Sequence, residues 1–254
     1  MGKERLDKVL VTRGLAPSRE RARSLILAGS VVVGDERQVK AGTLVRSDAA
    51  IRLTHDPQPY VSRGGLKIEK ALDFFSIDPQ GKVVMDVGAS TGGFTDCLLQ
   101  RGAQRVYAVD VGYGQLAWKL QQDPRVINLQ RRNIRYLKWE EVGEKVDLVV
   151  VDTSFISLEL VIPPILTFLK EGGGLLTLVK PQFEVGKGEV GKGGVVRDSK
   201  QHRQTVEKIK EFAIGEGLIP RGAMESPLRG PKGNREFFLY CERPYGKDRG
   251  TKAG

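Results

Sequence analysis

Four charged residues stand far apart in this 254-residue chain, and each marks the edge of an apolar run. Asp152 closes Val-Val-Val-Asp-Thr-Ser-Phe, and Lys180 closes Leu-Thr-Leu-Val-Lys-Pro-Gln-Phe-Glu. Lys67 opens a helical pattern in Tyr-Val-Ser-Arg-Gly-Gly-Leu-Lys, and Glu236 enters a last strand in Gly-Pro-Lys-Gly-Asn-Arg-Glu-Phe-Phe. A charge directly after a buried strand lies where a doubly wound sheet opens to its ligand. Each alone reads as an ordinary surface charge. Together they form a Lys-Asp-Lys-Glu set around one strand-end surface.

A second group lies between Val83 and Asp110, which reads as buried strand, glycine-rich turn, helix, second strand and terminal acid. Small residues at Gly88, Ala89, Gly92 and Gly93 let backbone and ligand approach closely. Asp110 ends its strand where a carboxylate can take both hydroxyls of a cofactor ribose. Three chemistries fit the turn. A dinucleotide fingerprint lacks its second glycine, because Ser90 stands there. A nucleophile elbow fits Gly88-Ala89-Ser90-Thr91-Gly92, but the late histidine it needs is only His202, which the pattern places in a surface helix. The turn of an S-adenosylmethionine-dependent methyltransferase fits both Asp86 and Asp110. Two carboxylates at adjacent strand ends are costly without a ligand to satisfy. The segment from Gly186 to Gly193 resembles a phosphate loop but ends in Gly193 rather than Ser or Thr, and it follows the fifth strand. Residues 184–197 read instead as a lid carrying two lysines.

These residues need a scaffold, and the hydropathy pattern supplies one. A helix is predicted at 66–75, and strands at 82–87, 105–110, 125–129, 146–152 and 175–180. Helices at 94–101, 114–121, 158–169 and 200–215 alternate with them, and 219–224 and 235–241 close the sheet as a pair. Strand–helix alternation implies a Rossmann-like, doubly wound α/β sheet, mostly parallel. Before it, residues 1–54 form a small α+β unit: a helix from Leu6, a second helix capped by Ser18, then short strands at 31–33, 44–45 and 51–53. His55-Asp56-Pro57-Gln58-Pro59 reads as a linker spanning 55–60. The catalytic unit is expected at 61–242, followed by a polar, basic tail at 243–254.

The chain carries a formal net charge of +10, with 41 Lys and Arg against 31 Asp and Glu. That excess favours a polyanion, nucleic acid first. Arg5, Arg13, Arg19, Arg21 and Arg23 sit on or beside the two N-terminal helices, as a surface lying along phosphates would require. Only Cys97 and Cys241 are present, and no His/Cys cluster offers a metal site. No apolar run reaches a membrane span of about 18 residues, and the N-terminus lacks the apolar core of a signal peptide. The expected location is cytoplasmic, with no membrane partner and no metal.

Several segments are long enough to carry a resemblance. Tyr60–Lys67, Asp152–Leu158, Val179–Glu184 and Gly230–Phe237 resemble the TlyA, or hemolysin A, family, whose catalytic domain is FtsJ-like. Arg5-Leu6-Asp7 and the run from Ser18 to Arg23 resemble the S4 RNA-binding domain of that family. The family's hairpin usually reads Val-x-Val-Asn-Gly; here Val31-Val32-Val33-Gly34-Asp35 departs from it. The resemblance implies an S-adenosylmethionine-dependent ribose 2′-O-methyltransferase acting on ribosomal RNA, with ribosomal subunits as partners. It implies Lys67, Asp152, Lys180 and Glu236 as the catalytic tetrad, with Lys180 orienting the hydroxyl or accepting its proton. The cofactor is expected against Asp86, Gly88, Ser90, Thr91, Gly92, Gly93, Phe94, Asp110 and, at the adenine edge, Asn133. RNA contacts are expected from Arg5, Arg19, Arg21, Arg23 and Arg63. Two rival classes are a ribosome assembly factor that binds RNA without catalysis and a membrane-active hemolysin.

Overall fold

The computed structural model describes residues 2–27, 29–38, 40–54, 59–186, 190–191, 193–230 and 232–246. Residues 55–58 of the predicted linker, 187–189 and Lys192 of the predicted lid, and 247–254 of the predicted tail lie outside the described residues. The chain divides into two compact units, Met1–Pro59 and Tyr60–Gly254.

The first unit contains β1 (Lys3–Arg5), α1 (Leu6–Thr12), α2 (Arg19–Leu27), β2 (Val31–Val33), β3 (Glu36–Gln38), β4 (Leu44–Arg46) and β5 (Ile51–Leu53). Leu6, Val9 and Leu10 of α1 meet Ala22, Leu25 and Ile26 of α2 in its core, the i, i+3, i+4 spacing of an amphipathic face. Ser18 Oγ accepts the Arg21 backbone N–H at 3.2 Å, which starts α2 where the cap was predicted. The strands form two sheets, β3-β2-β5 and β1-β4. β1 and β3 escaped prediction because both are three-residue, polar and mostly exposed, with no alternation to read. The divergent Gly34-Asp35 pair closes the β2–β3 hairpin, in which Val33 pairs with Glu36. Gly34 has φ +62°, so the glycine sits at the first central position, as a type II′ turn requires. A Gly-Asp turn thus replaces Asn-Gly without changing the two-residue connection.

The second unit contains α3 (Gly64–Phe74), β6 (Val83–Val87), α4 (Gly93–Gln100), β7 (Arg105–Asp110), α5 (Trp118–Gln121), β8 (Val126–Gln130) and β9 (Val146–Val151). It continues with α6 (Ile162–Leu166), β10 (Leu169–Val179), α7 (Pro181–Glu184), α8 (Ser199–Gly215), β11 (Ile219–Glu225) and β12 (Phe237–Glu242). The seven strands run in the order β11-β12-β10-β9-β6-β7-β8. The five from β10 to β8 are parallel, and β12 and β11 add antiparallel at one edge. Alternate strand residues enter two cores: Val84, Val106, Leu148, Val150 and Leu176 on one face, and Met85, Tyr107, Val149, Val151 and Leu175 on the other. The strand order reverses between β6 and β9, so the crevice at their carboxyl ends is the expected ligand site of such a sheet.

Three predicted elements differ. The helix at 158–169 becomes a 3-10 turn at Leu158–Leu160 and the five-residue α6, because Pro163 and Pro164 fit only a helix's first turn. The freed residues lengthen β10 to 11. The helix at 114–121 shrinks to α5, since Gly114 adopts φ +64°. Residues 243–246, expected in the tail, are fixed: Arg243 donates to the Leu166 and Leu169 carbonyls at 2.5 and 2.8 Å, and the Gly246 N–H donates to Glu171 at 3.1 Å.

Candidate active site

The crevice is built by close backbone approach. After β6 the chain turns at Gly88, with φ +88°. A Cβ there would stand 2.6 Å from the Asp152 carbonyl oxygen at the end of β9, so only glycine lets these two strand ends meet. Asp110, ending β7, accepts the Ser90 N–H at 2.8 Å on one carboxylate oxygen and the Gly112 N–H at 2.7 Å on the other. It therefore fixes the turn, and each oxygen keeps a further lone pair for a ligand. A cavity of about 500 Å³ opens here, lined among others by Gly88, Ser90, Asp110, Asn133, Ile134 and Asp152. The Asn133 side chain caps the next turn by accepting the Arg135 N–H at 3.1 Å.

A second cavity, of about 580 Å³, contains Lys67, Asp152, Lys180 and Glu236 in its wall. The set that the sequence scattered is thus gathered on one surface. Pro181 at the first position of α7 ends β10 and leaves Lys180 at the helix's N-cap position, pointing its ammonium to Asp152 at 2.6 Å and donating to Ser154 Oγ at 2.9 Å. Lys67, in the first turn of α3, reaches Glu236 at 2.6 Å. Lys67, Lys180 and Glu236 are all buried. Each ammonium therefore has its own carboxylate, as burial of a charge demands. Glu184 ties the two strand ends together: it accepts from Ser157 Oγ at 2.7 Å and the Leu158 N–H at 2.9 Å. Burial pushes its carboxyl above the ordinary value. The two cavities share Gly88, Ser90, Asp152, Ser154 and Phe155.

The other predicted cofactor residues lie off both linings. Asp86 is fully buried beneath the turn; Thr95 Oγ1 donates to one of its oxygens at 2.6 Å and the other has no partner among the described residues. Burial pushes its carboxyl up to about 7. Gly92 abuts Leu116 and Leu120, and Gly93 packs α4 against Ser62 and Gly65. Phe94 packs on Phe238, with ring centroids 6.2 Å apart, and Thr91 is exposed. Asp86, Gly92, Gly93 and Phe94 thus pack into the protein beneath the turn. His202 is buried rather than on a surface face and bonds the Val196 carbonyl oxygen at 3.0 Å, which leaves the nucleophile-elbow reading without its histidine.

Sequence reasoning gave no role to Ser154 or Phe155, although both sit in the motif that it quoted. Phe155 adopts φ +65°, is 89% exposed, and stands with its ring 4.9 Å from that of Phe183 at the cavity rim. It also missed the arginines after β8. Arg131 lies 4.0 Å over the Tyr113 ring and Arg135 5.2 Å over that of Tyr136, while Arg132 lines the first cavity. The cluster of Arg131, Arg132 and Arg135 beside Tyr136 was the available signal.

In the first unit, Arg5, Arg19 and Arg23 converge on the fully buried Asp7 at 3.0, 3.1 and 3.3 Å, each with its side chain about half exposed. Arg21 stands on the same helix, and Arg63 is exposed in the second unit. The Arg5 guanidinium above all holds the Asp7 carboxyl far below its ordinary value. A depressed folded-state value contributes stability that is present above pH 3.8 and lost as pH falls further. Urea unfolding of this unit is therefore expected to show a stability gap between the native chain and Asp7→Asn that is constant at neutral pH and narrows below about pH 4. A gap independent of pH would mean that Asp7 is not the ionised hub.

A switch-point crevice bordered by Asp110 and opening on a second cavity walled by amines and carboxylates is the arrangement of a Rossmann-like methyltransferase. Comparison with known proteins agrees. Residues 60–243 match the FtsJ-like methyltransferase model and residues 4–51 the S4 domain. The chain belongs to the FtsJ-like methyltransferase family and carries an N-terminal S4 domain. It is 48% identical over 237 residues to the Mycobacterium tuberculosis 16S/23S rRNA (cytidine-2′-O)-methyltransferase TlyA, covering 93% of this chain and 88% of that one. It is 38% identical to Hemolysin A of Brachyspira hyodysenteriae, covering 93% and 98%. A solved Streptococcus thermophilus structure is 42% identical with a TM-score of 0.75, covering 96% of this chain and 90% of that one. Among the described residues, no helix is long and apolar enough to cross a membrane, and no group of His, Cys, Asp and Glu is placed to hold a metal.

Proposed function

We propose that this protein methylates a ribose 2′-hydroxyl of ribosomal RNA with S-adenosylmethionine as donor. The observation that carries the reading is the shared wall. One cavity has the glycine turn and Asp110 for a nucleoside, the other has the Lys67/Asp152/Lys180/Glu236 set, and they meet at Gly88 and Asp152. The donor set fits S-adenosylmethionine: Asp110 retains lone pairs for ribose hydroxyls, Asn133 flanks the far end, and Ile134 gives an apolar face to a base. When bound, S-adenosylmethionine supplies a methyl group on a positively charged sulfur, already electrophilic, so the protein's contribution is mainly alignment and proton removal.

Asp152 and Ser154 hold the Lys180 Nζ in place at 2.6 and 2.9 Å, where it orients the 2′-hydroxyl or accepts the proton that this hydroxyl loses as its oxygen attacks. Lys67, anchored by Glu236 in the same cavity, donates to the sugar. The rim ring of Phe155 offers a stacking face to the nucleotide's base, which must leave its helix to enter. Arg5, Arg19, Arg21 and Arg23 of the S4 domain bind RNA phosphates, and Arg63 does so on the catalytic unit. The name of the Mycobacterium tuberculosis relative, a 16S/23S rRNA (cytidine-2′-O)-methyltransferase, supports this substrate class.

The test is incubation with labelled S-adenosylmethionine and unmodified ribosomal subunits, then mapping of the methylated ribose. RNA binding without label transfer would favour an assembly factor instead. Asp110→Ala is expected to weaken S-adenosylmethionine binding at least about tenfold by calorimetry, since it removes a charged acceptor and frees the Ser90 and Gly112 amides. Unchanged affinity would put the cofactor elsewhere.

A further inference from the structure

Part of the acceptor cavity's wall belongs to no strand: Gly194 from the loop that continues to Val196, and Lys232, Asn234 and Glu236 from the turn before β12. One side chain joins them. Asn234, only 3% exposed, donates from Nδ2 to the Gly194 carbonyl oxygen at 2.9 Å and accepts the Val196 N–H on Oδ1 at 3.0 Å. Its own carbonyl oxygen accepts the Gly230 N–H at 2.9 Å, which closes the turn. The amide therefore bonds the backbone of one loop with both of its ends, while its own backbone closes the other.

What this fastening holds is chemically specific. Glu236, two residues on, packs its carboxylate against Gly230, where a side chain would collide with it. Lys232, at the exposed tip of the same turn, lines the cavity and makes no ion pair among the described residues. Val196 is held at its other end as well, by His202. The loop is thus fixed at one buried point rather than resting on the surface.

We propose that Asn234 is a positioning residue, latching the Gly194–Val196 loop to the turn before β12 and so fixing the wall from which Lys232 and Glu236 face the acceptor nucleotide. The inference rests on the reading of this cavity as the acceptor site. Asn234 touches no reacting atom; it acts through the loop and through Glu236. Neither bond involves the cofactor cavity, whose lining includes none of these residues. The latch should therefore affect the RNA side of the reaction and leave the cofactor side alone.

Asn234→Ala in the full chain is expected to raise the KM for ribosomal RNA about tenfold, the loss of two buried hydrogen bonds expressed as a ratio, with the Kd for S-adenosylmethionine unchanged. Hydrogen exchange should become faster at the Val196 amide in the free protein. Asn234→Asp keeps an acceptor for that amide but loses the donation to Gly194, so Val196 protection should return while KM stays raised. A KM within twofold of the native value in both variants overturns the proposal, as does native protection of Val196 in Asn234→Ala. A parallel loss of cofactor affinity also overturns it, because that marks a general packing role. If the alanine variant does not fold, the aspartate variant alone carries the kinetic test. Failure of the native enzyme to transfer label would instead remove the functional reading, and the exchange result would stand apart from it.

Discussion

Replacing Lys180 by alanine is expected to lower methyl transfer by about 10³-fold or more while S-adenosylmethionine still binds with native affinity. The magnitude follows from losing a positioned proton acceptor, typically worth 10²–10⁴ in rate. Selectivity follows from geometry: Lys180 lines the acceptor cavity and is absent from the lining of the other. The change also strands Asp152, whose carboxylate loses its ion-pair partner at 2.6 Å. Lys180→Arg separates the roles that remain. A guanidinium keeps the charge and the donors but cannot accept a proton. If the amine takes the hydroxyl proton, arginine is as inactive as alanine. If Lys180 only donates a hydrogen bond, arginine restores much of the rate. Single-turnover methylation of unmodified subunits, with calorimetry of cofactor binding, reads both. Full activity of Lys180→Ala would remove it from the mechanism.

The site was legible in the sequence wherever a charge interrupts an apolar run. Asp152 and Lys180 close the buried strands β9 and β10, so burial itself fixed their place at the crevice. The pairing inside the set was not legible. That Lys67 meets Glu236 and Lys180 meets Asp152 depends on how α3 and the turn before β12 dock on the sheet, which no local pattern encodes. The packing role of the turn's glycines was not legible for the same reason. Gly92 and Gly93 look like ligand-facing glycines, yet their lack of side chains serves packing against Leu120 and Ser62. Local chemistry misled at 158–169, where apolar periodicity outweighed Pro163-Pro164, and was silent for β1 and β3, whose pairing is tertiary. Ser154, Phe155 and Asn234 share one feature: their roles come from loops folding over a cavity, and short polar loops carry no periodicity.

Gly88→Ala is expected to abolish cofactor binding and methyl transfer together, the opposite of the Lys180 result. Two costs add. An alanine at φ +88° occupies a left-handed conformation, disfavoured by roughly 1–2 kcal/mol. Its Cβ would also lie 2.6 Å from the Asp152 carbonyl oxygen and 2.9 Å from its carbonyl carbon. Those are backbone atoms directly after the central strand β9, so relief must come from separating the ends of β6 and β9. That movement disturbs the bond from the Asp152 N–H to the Val87 carbonyl oxygen, 2.9 Å, and the one from the Gly88 N–H to Val109, 2.8 Å. Overpacking of this kind costs typically about 1–3 kcal/mol, for a total near 2–5 kcal/mol. In a unit of this size each kcal/mol lowers Tm by about 2–4 °C, so a fall of roughly 4–20 °C is expected. Gly81→Ala is the control. It shares a left-handed φ, +69°, but nothing lies within 4 Å of its Cβ, so it should melt only a few degrees lower and keep both binding and activity. The contrast isolates the contact between the two strand ends, and that contact is the wall common to donor and acceptor. Scanning fluorimetry and calorimetry on the two variants decide it: if Gly88→Ala melts and binds like Gly81→Ala, the close approach of β6 and β9 does not hold the site together.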